Sequence, residues 1–537
     1  MNFFKPKLFE CMKGYTKNQL ISDIVAGIIV AIIALPLSIA LAIASGVSPE
    51  KGIYTAIIAG FVISALGGSR VNISGPTAAF ATIVAGIVAQ NGIEGLVIAT
   101  IMAGIILILM GLLKLGSLIK YIPLTITTGF TSGIAVTIAI GQVKDFLGLT
   151  VTSSPIETLE KAKMVVKCIS TINLQALLCG GISLLILIIW PKISKRIPGS
   201  LVAVLVGIFM VQVFKMNVAT IGSSFTLGNS LPKFSLPAVN LNTIGNLLPS
   251  AFTIAILAAI ESLLSCVVSD AMINDKHDSN TELIAQGMGN ICSGLFGGIP
   301  ATGAIARTAA NVNNGGRSPV SGMVHAVFLL LVLVLLMPYA AYIPMPVIAA
   351  ILFMVAYNMS EWRRFVNILK TAPKSDIIVL ILTFVLTVVF DLVVAIEIGM
   401  LVSVVLFMKR MADVTSIRKW KTSDDTDERL MDIPLDTTVI EINGPMFFAS
   451  SGIFTPDLVE DGTKNLILRM RSVSALDVSA LSSLKTIYKT CEEKGVRLIL
   501  SHLNEQPLAV IKKDGFINTL GKENILPNIY EAINSCK

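Results

Sequence analysis

Apolar positions run in long stretches from about Ile21 to Met408, and charged positions fall almost only in the short gaps between them. A stretch of about 20 apolar residues crosses a hydrocarbon core of roughly 30 Å. On that measure the region holds about 14 candidate spans, some of them shorter. Their centres lie near residues 33, 59, 84, 103, 130, 181, 207, 258, 290, 309, 328, 349, 382 and 400. Two are too short to span alone. They start near Thr77 and near Gly303, after the Gly/Pro-rich breaks NISGPTAAF and GGIPATGAIA. Half-helices at corresponding points of two halves are the sequence pointer to a transporter binding site. Laying Thr77 on Thr302 also lays Ala79 on Ala304 and Ala81 on Ala306. Seven spans per half is an odd number, so the halves would have opposite orientation and form an inverted repeat.

Beyond Lys409 the pattern changes. KRMADVTSIRKWKTSDDTDER is charged and has no long apolar stretch. TTVIEING, NLILRMRSV and VRLILSHL then have strand character, Val478–Lys494 has helical character, and two short helices close the chain. Such alternation predicts a sheet covered by helices. The expected fold is a polytopic α-helical membrane protein, with 14 transmembrane segments in two inverted seven-segment repeats and a cytoplasmic α/β domain after them. The expected boundaries are an N-terminal segment 1–20, a transmembrane transport domain 21–408, a connector 409–431 and the α/β domain 432–537.

Composition agrees. Of 537 residues 54% are hydrophobic and 14% charged, against roughly 25% charged in soluble globular chains. A soluble enzyme, a disordered chain and a collagen-like fibre are excluded, and no enzyme activity is expected. The net charge of +7 comes with few aromatics and no long basic run, so nucleic acid is not an expected partner. The basic residues sort by loop instead. With Lys5, Lys7, Lys13 and Lys17 in the cytoplasm, the loops on that side carry Arg70, Lys114 with Lys120, Lys192 with Lys195 and Arg196, Arg317, and Arg363 with Arg364, Lys370 and Lys374; Lys409 and Arg410 follow the last span. The opposite loops are poorer, and around Lys144–Lys167 they intersperse Glu157 and Glu160. The positive-inside rule then puts both termini in the cytoplasm of a plasma-membrane protein. The first apolar run, to about Ala44, is too long for a signal-peptide core. Seven scattered Cys form no CxxC pair, and with three His no zinc site is expected. No cofactor and no ATP-binding loop is expected.

Ionisable groups inside a bilayer are costly and functional by default. Glu261 lies about 14 residues into LLPSAFTIAILAAIESLLSCVVSD, roughly 20 Å deep. Arg307 lies near the start of the second short helix. One reading makes Arg307 the anion-binding cation and Glu261 the coupling-ion site. The two half-helix starts, Thr77–Ala78–Ala79–Phe80 and Gly303–Ala304–Ile305–Ala306, would then face each other and offer unpaired backbone N–H groups. Ser265, four residues after Glu261, could share its ligand. The plainer reading is that Glu261 and Arg307 pair with each other. Thr77 and Thr302 could contact substrate or simply cap helices. Asp270 and the run DKHDSN read as a solvated turn, and Asp391 and Glu397 as structural or interfacial. In the tail, Asp477 and Ser479 sit where a strand gives way to a helix and are candidate regulatory residues.

The segments ALPLSIALA (34–42), GGSRVNISGPTAAF (67–80), AIESLLSCVVSDAM (259–272) and DSNTELIAQGMGNICSGLFGGIPATGAIARTAANVNNGGRSP (278–319) resemble the sulfate permease (SulP) family of anion transporters. The tail resembles a STAS domain. The resemblance covers essentially the whole chain and is nearest to bacterial members, proton-coupled C4-dicarboxylate carriers among them. It implies a core domain of spans 1–4 and 8–11, a gate domain of spans 5–7 and 12–14, an elevator movement and a homodimer. It puts Glu261 on the acidic position of proton-coupled members, which in sodium-bicarbonate members is an Asp that helps bind sodium. It puts Arg307 on a basic position lining the anion site. Leu37 departs from the Gln of animal members and Leu41 from an aromatic. ALDVSAL is similar to the motif that carries a phosphorylatable Ser in stand-alone STAS proteins, with Val478 and Ala480 replacing its first Ser and its Gly.

The expected function is proton-coupled import of a small dianion, with sulfate first and a C4-dicarboxylate such as succinate or fumarate second. Sodium-coupled bicarbonate uptake, with Glu261 and Ser265 as sodium ligands, is the alternative. A membrane-anchored sensor or scaffold whose STAS domain binds a cytoplasmic partner is the reading from another class.

Overall fold

The computed structural model describes residues 4–117, 122–151, 155, 157–194, 197–225, 230–237, 241–390, 392–420 and 433–537. The expectations for Lys120, Lys195, Arg196, Asp391 and the second half of the connector lie outside the described residues. The chain forms two compact units, Met1–Met400 and Leu401–Lys537.

The first unit is helical. Its elements are α1 (Lys7–Cys11), α2 (Lys17–Ala44), α3 (Pro49–Leu66), β1 (Ser74–Gly75), a 3-10 turn Ala78–Phe80 that runs into α4 (Ala81–Leu112), α5 (Leu124–Leu147), α6 (Thr158–Cys168), α7 (Leu174–Ile193), α8 (Gly199–Val213), α9 (Ile221–Ser224), α10 (Leu241–Ile273), α11 (Ser279–Leu295), β2 (Thr302–Gly303), α12 (Ile305–Asn313), α13 (Val320–Leu336), α14 (Met345–Ser360), α15 (Trp362–Thr371) and α16 (Lys374–Val389). α17 (Leu392–Val414) begins in this unit and ends in the second. Every expected span centre falls inside a helix. Among the described residues, eight helices are long and apolar enough to cross a membrane by length and composition alone.

Local chemistry sets the key boundaries. α2 starts at a capping box in which Thr16 Oγ1 accepts from Gln19 N and Gln19 Oε1 accepts from Thr16 N. The spans expected near 84 and 103 are one run broken at Gly92, whose φ of 67° and ψ of −172° suit a glycine alone. α11 is shorter than a span and buries Glu282, Gln286 and Asn290 completely. That polar ladder at i, i+4 and i+8 faces the interior of the unit, where the backbone is least regular.

The irregular part is β1 and β2. These two-residue strands pair antiparallel, Ser74 opposite Gly303 and Gly75 opposite Thr302. Ala304 N adds a bond to Ile73 O at 2.8 Å. The pairing meets the backbone demand of two chain segments that are not helical at depth.

The second unit is a five-stranded sheet in the order β3 (Ser416–Lys419), β4 (Thr437–Asn443), β5 (Asn465–Ser472), β6 (Arg497–Ser501), β7 (Ile525–Leu526). β3 is antiparallel to β4 and the remaining pairs are parallel. α18 (Val478–Lys494) connects β5 to β6, and α19 (Glu505–Asp514), α20 (Phe516–Leu520) and α21 (Ile529–Asn534) complete the unit. Alternate strand residues face opposite sides. Ile440, Leu466, Leu468 and Leu498 pack with Leu484 and Ile487 of α18. Val439, Ile467 and Ile499 pack with Ile529 and Ile533 of α21. The expected strands are β4, β5 and β6. β3, which lies in the stretch read as a connector, and β7 are additions, and three helices rather than two follow β6. β3 carries Arg418 and Lys419 on an edge, so no apolar alternation announces it.

Candidate functional site

A cavity of about 520 Å³ opens among α2, β1, β2, α10, α12 and α14. Its wall includes Leu37 and Leu41 of α2, Pro76, Thr77, Ala78 and Ala79 on one side, and Gly303, Ala304, Ile305, Ala306 and Arg307 on the other, with Glu261 between them. The chain thus brings together the two breaks, Glu261 and Arg307. Phe80 is not among the lining residues and is 1% exposed, because the 3-10 turn directs it into the packed interior.

Neither helix start is capped by a side chain. Thr77 stands at the cap position of the first and Ala304 at that of the second, with no side-chain cap in either case. The first backbone N–H groups of a helix have no intrahelical acceptor, and small Ala residues leave them approachable. Thr77 does not cap because Oγ1 donates to Glu261 Oε2 at 2.9 Å. By role, Thr77 corresponds to Ala304 and not to Thr302. Thr302 lies in β2, where Oγ1 donates to Ala258 O at 3.0 Å and bonds Ser262 Oγ at 2.7 Å. It ties the strand to α10 and does not line the cavity.

Arg307 is 1% exposed. Its Nη2 donates to Pro76 O at 3.0 Å and lies 3.5 Å from Ser38 Oγ, while Nε and Nη1 have no partner. Among the described residues no ion pair joins Arg307 to Glu261, so the plain buried-pair reading fails. A Cβ on Gly75 would sit 2.5 Å from Nη1. Glycine at the β1 turn is what lets the guanidinium cross beneath the first helix start.

Ser265 is not among the residues that line the cavity. It is fully buried and donates to Asn72 Oδ1 at 2.8 Å and Thr308 Oγ1 at 3.1 Å. One helical turn from Glu261, its hydroxyl is engaged by Asn72 and Thr308. It joins a network the sequence reading missed. Asn72 Nδ2 donates to Glu282 Oε1 at 2.8 Å, Glu282 Oε2 accepts from Gly68 N at 2.9 Å, and Gln286 Nε2 donates to Ser74 Oγ at 3.0 Å. This network braces both breaks from behind. The signal for it was the i, i+4, i+8 spacing of Glu282, Gln286 and Asn290 along one face of α11.

The remaining candidates lie away from the cavity's lining residues. Asp270 Oδ2 accepts from His277 N and meets Nδ1 at 2.7 Å, and Asp278 caps α11 through Thr281 N. Glu397 is exposed. In the second unit Asp477 caps α18 through Ala480 N at 2.9 Å and accepts from Phe448 N at 2.8 Å, while Ser479 is exposed on the first turn.

Broken helices meeting around a cavity, within a bundle of apolar helices, define an α-helical membrane transporter, and the sheet unit adds a soluble domain to it. The family model for sulfate permeases matches residues 20–383 and the STAS domain model matches residues 429–534. The chain belongs to the sulfate permease family and is an anion transporter with a C-terminal STAS domain. It is 41% identical over 517 residues to a Bacillus subtilis (strain 168) protein named "Putative sulfate transporter YvdB", covering 95% of this chain and 97% of that one. It is 33% identical over 435 residues, 75% of each chain, to the bicarbonate transporter BicA of Picosynechococcus sp.. The solved transmembrane domain of a cyanobacterial BicA superimposes with a TM-score of 0.65 at 32% identity, over 71% of this chain and 98% of that one. SLC26A9 superimposes with a TM-score of 0.89 at 19% identity, over 99% and 92%, a likeness of fold.

Proposed function

We propose that the protein imports a small dianion, sulfate first, coupled to protons, with the anion held between the helix starts at Ala78 and Ile305 and paired with Arg307. The observation that carries this reading is the buried guanidinium with two unpartnered donor atoms and no carboxylate bridged to it. A buried charge without a counter-ion is expensive, and an anion in the adjoining cavity supplies the missing charge.

Glu261 is the proton site in this reading. Its carboxylate accepts from Thr77, the residue at the first helix start. Protonation removes one negative charge from the cavity and alters that bond, so proton and anion binding favour each other as linkage requires. Glu261 and Thr77 carry the coupling in place of Glu261 and Ser265. The core and gate exchange by an elevator movement in a homodimer, both termini face the cytoplasm, and the STAS unit meets a cytoplasmic partner through the exposed turn at Ser479.

The test is uptake into proteoliposomes under an inward proton gradient, with labelled sulfate and labelled succinate offered in parallel. Proton-stimulated sulfate uptake that succinate competes poorly is the expected result. Proton-stimulated succinate uptake names a C4-dicarboxylate instead. The likeness to BicA favours a second reading, sodium-coupled bicarbonate uptake. Loss of uptake when choline replaces sodium would select it. A scaffold keeps no transport under any gradient.

A further inference from the structure

A second cavity, of about 430 Å³, lies along the same elements as the first. Each of four elements serves both. α2 lines the first cavity through Leu41 and the second through Ile43. The 3-10 turn and α4 that follows it line the first through Ala79 and the second through Ala81. α5 contributes Thr131 to the first and Thr137 to the second. α14 gives its end to the first, through Asn358, and its beginning to the second, through Met345. The two cavities are therefore stacked along one path, and on α2 and at the α4 start the division is two residues, roughly 3 Å of helix rise.

The second cavity has its own charges. Lys144 and Asp145 from the last turn of α5 and Lys161 from α6 line it, with Gln142, Thr137 and Thr82 as neutral polar groups. Two ammonium groups against one carboxylate leave a surplus positive charge. Among the described residues neither ammonium has an ion pair or hydrogen bond, and both lysines are half-buried. Lys161 lies outside the spans, and burial, then repulsion from Lys144, hold its ammonium below the usual lysine range. Two like charges gathered in a concave, partly desolvated space attract a counter-ion of opposite sign.

We propose that this cavity is a second binding site for a small oxyanion, next to the Arg307 cavity along α2, α4, α5 and α14, where Lys144 and Lys161 collect the anion and Asp145 tempers its affinity. It rests on the reading above only for the identity of the anion as sulfate. Asp145 keeps the site weak enough to release what it gathers, as a subsite on a path must.

Two experiments on the full-length protein test it. The first is kinetic, in vesicles of defined orientation with sulfate presented at one face at a time. Lys161→Gln and Lys144→Gln should each raise KM about tenfold for sulfate at the face carrying α6, with kcat unchanged and KM at the other face unchanged. Asp145→Asn should move KM at that face the other way, downward by a few-fold. Equal shifts at both faces, or a rise in KM for Asp145→Asn, would overturn the proposal. The second reads occupancy without transport. Acylation of Lys161 by a membrane-impermeant amine reagent, quantified by mass spectrometry, should be slowed by added sulfate. The protection should persist in Arg307→Ala, which disables only the first cavity. Protection by none of sulfate, bicarbonate and succinate, or protection lost with Arg307, would refute a second site. Absence of sulfate transport combined with protection by one of the other anions would instead replace sulfate in the functional reading and leave the site standing.

Discussion

The two helix starts around the central cavity share a backbone plan and differ in chemistry. Each follows a two-residue strand, each strand pairs with the other, and neither start has a side-chain cap. The first start places a hydroxyl there, and Thr77 gives it to Glu261. The second has Ala304 there and sends Arg307 back beneath the first, where Gly75 makes room. In the proposed reading the first side takes the proton and the second supplies charge. Paired breaks give two equal sets of backbone donors, and a few side chains divide the labour between them.

The comparison is broken most severely at Arg307. Arg307→Ala should lose about 3 kcal/mol of anion binding, roughly a hundredfold in affinity, while the protein still elutes as a folded species. Calorimetric titration with sulfate measures it. Gly75→Ala should come next. Its Cβ would lie 2.5 Å from Nη1, so the guanidinium must shift, and a displaced charge of this kind costs roughly tenfold or more in transport. The smallest pair sharpens the contrast between the threonines. Thr77→Val should cut proton stimulation of uptake roughly fivefold, a coupling energy of about 1 kcal/mol, with little change in melting temperature. Thr302→Val should do the reverse. It strips a buried hydroxyl bonded to Ser262 and Ala258, should cost about 1–2 kcal/mol of stability, and should leave the proton dependence intact. A Thr302→Val protein with altered pH dependence would show that the two sides are not specialised as described.

Much of this was legible in the sequence because apolar runs are long and exceptions to them are rare. Glu261 and Arg307 stand out as charges in membrane segments, and NISGPT and GGIPATG stand out as breaks. Contacts between distant segments were not legible. Thr77 and Glu261 are 184 residues apart in sequence, and no spacing rule joins them. Strands of two residues have no periodicity, so the register of β1 against β2 had to come from the fold. The partners of Ser265 were hidden for a related reason. Four residues after Glu261 put it on the same helical face, but Asn72 takes the hydroxyl. The bracing network of Asn72, Glu282 and Gln286 was visible only as polar letters in a short helix. Without β1 and β2 in place there was nothing for them to brace.

The STAS unit was legible to a different degree. β4, β5, β6 and α18 follow from alternating and helical periods, whereas the short charged edge strand β3 does not. Asp477 is spent on capping α18 and holding Phe448 N, which leaves Ser479 exposed beside it.

The central claim is that Glu261 couples the proton to the anion held by Arg307. Its most direct test is the initial rate of sulfate uptake by Glu261→Gln across a range of external pH, beside the unaltered protein. The variant should still bind sulfate, and its rate should no longer depend on pH. A variant with the pH dependence of the unaltered protein would contradict it.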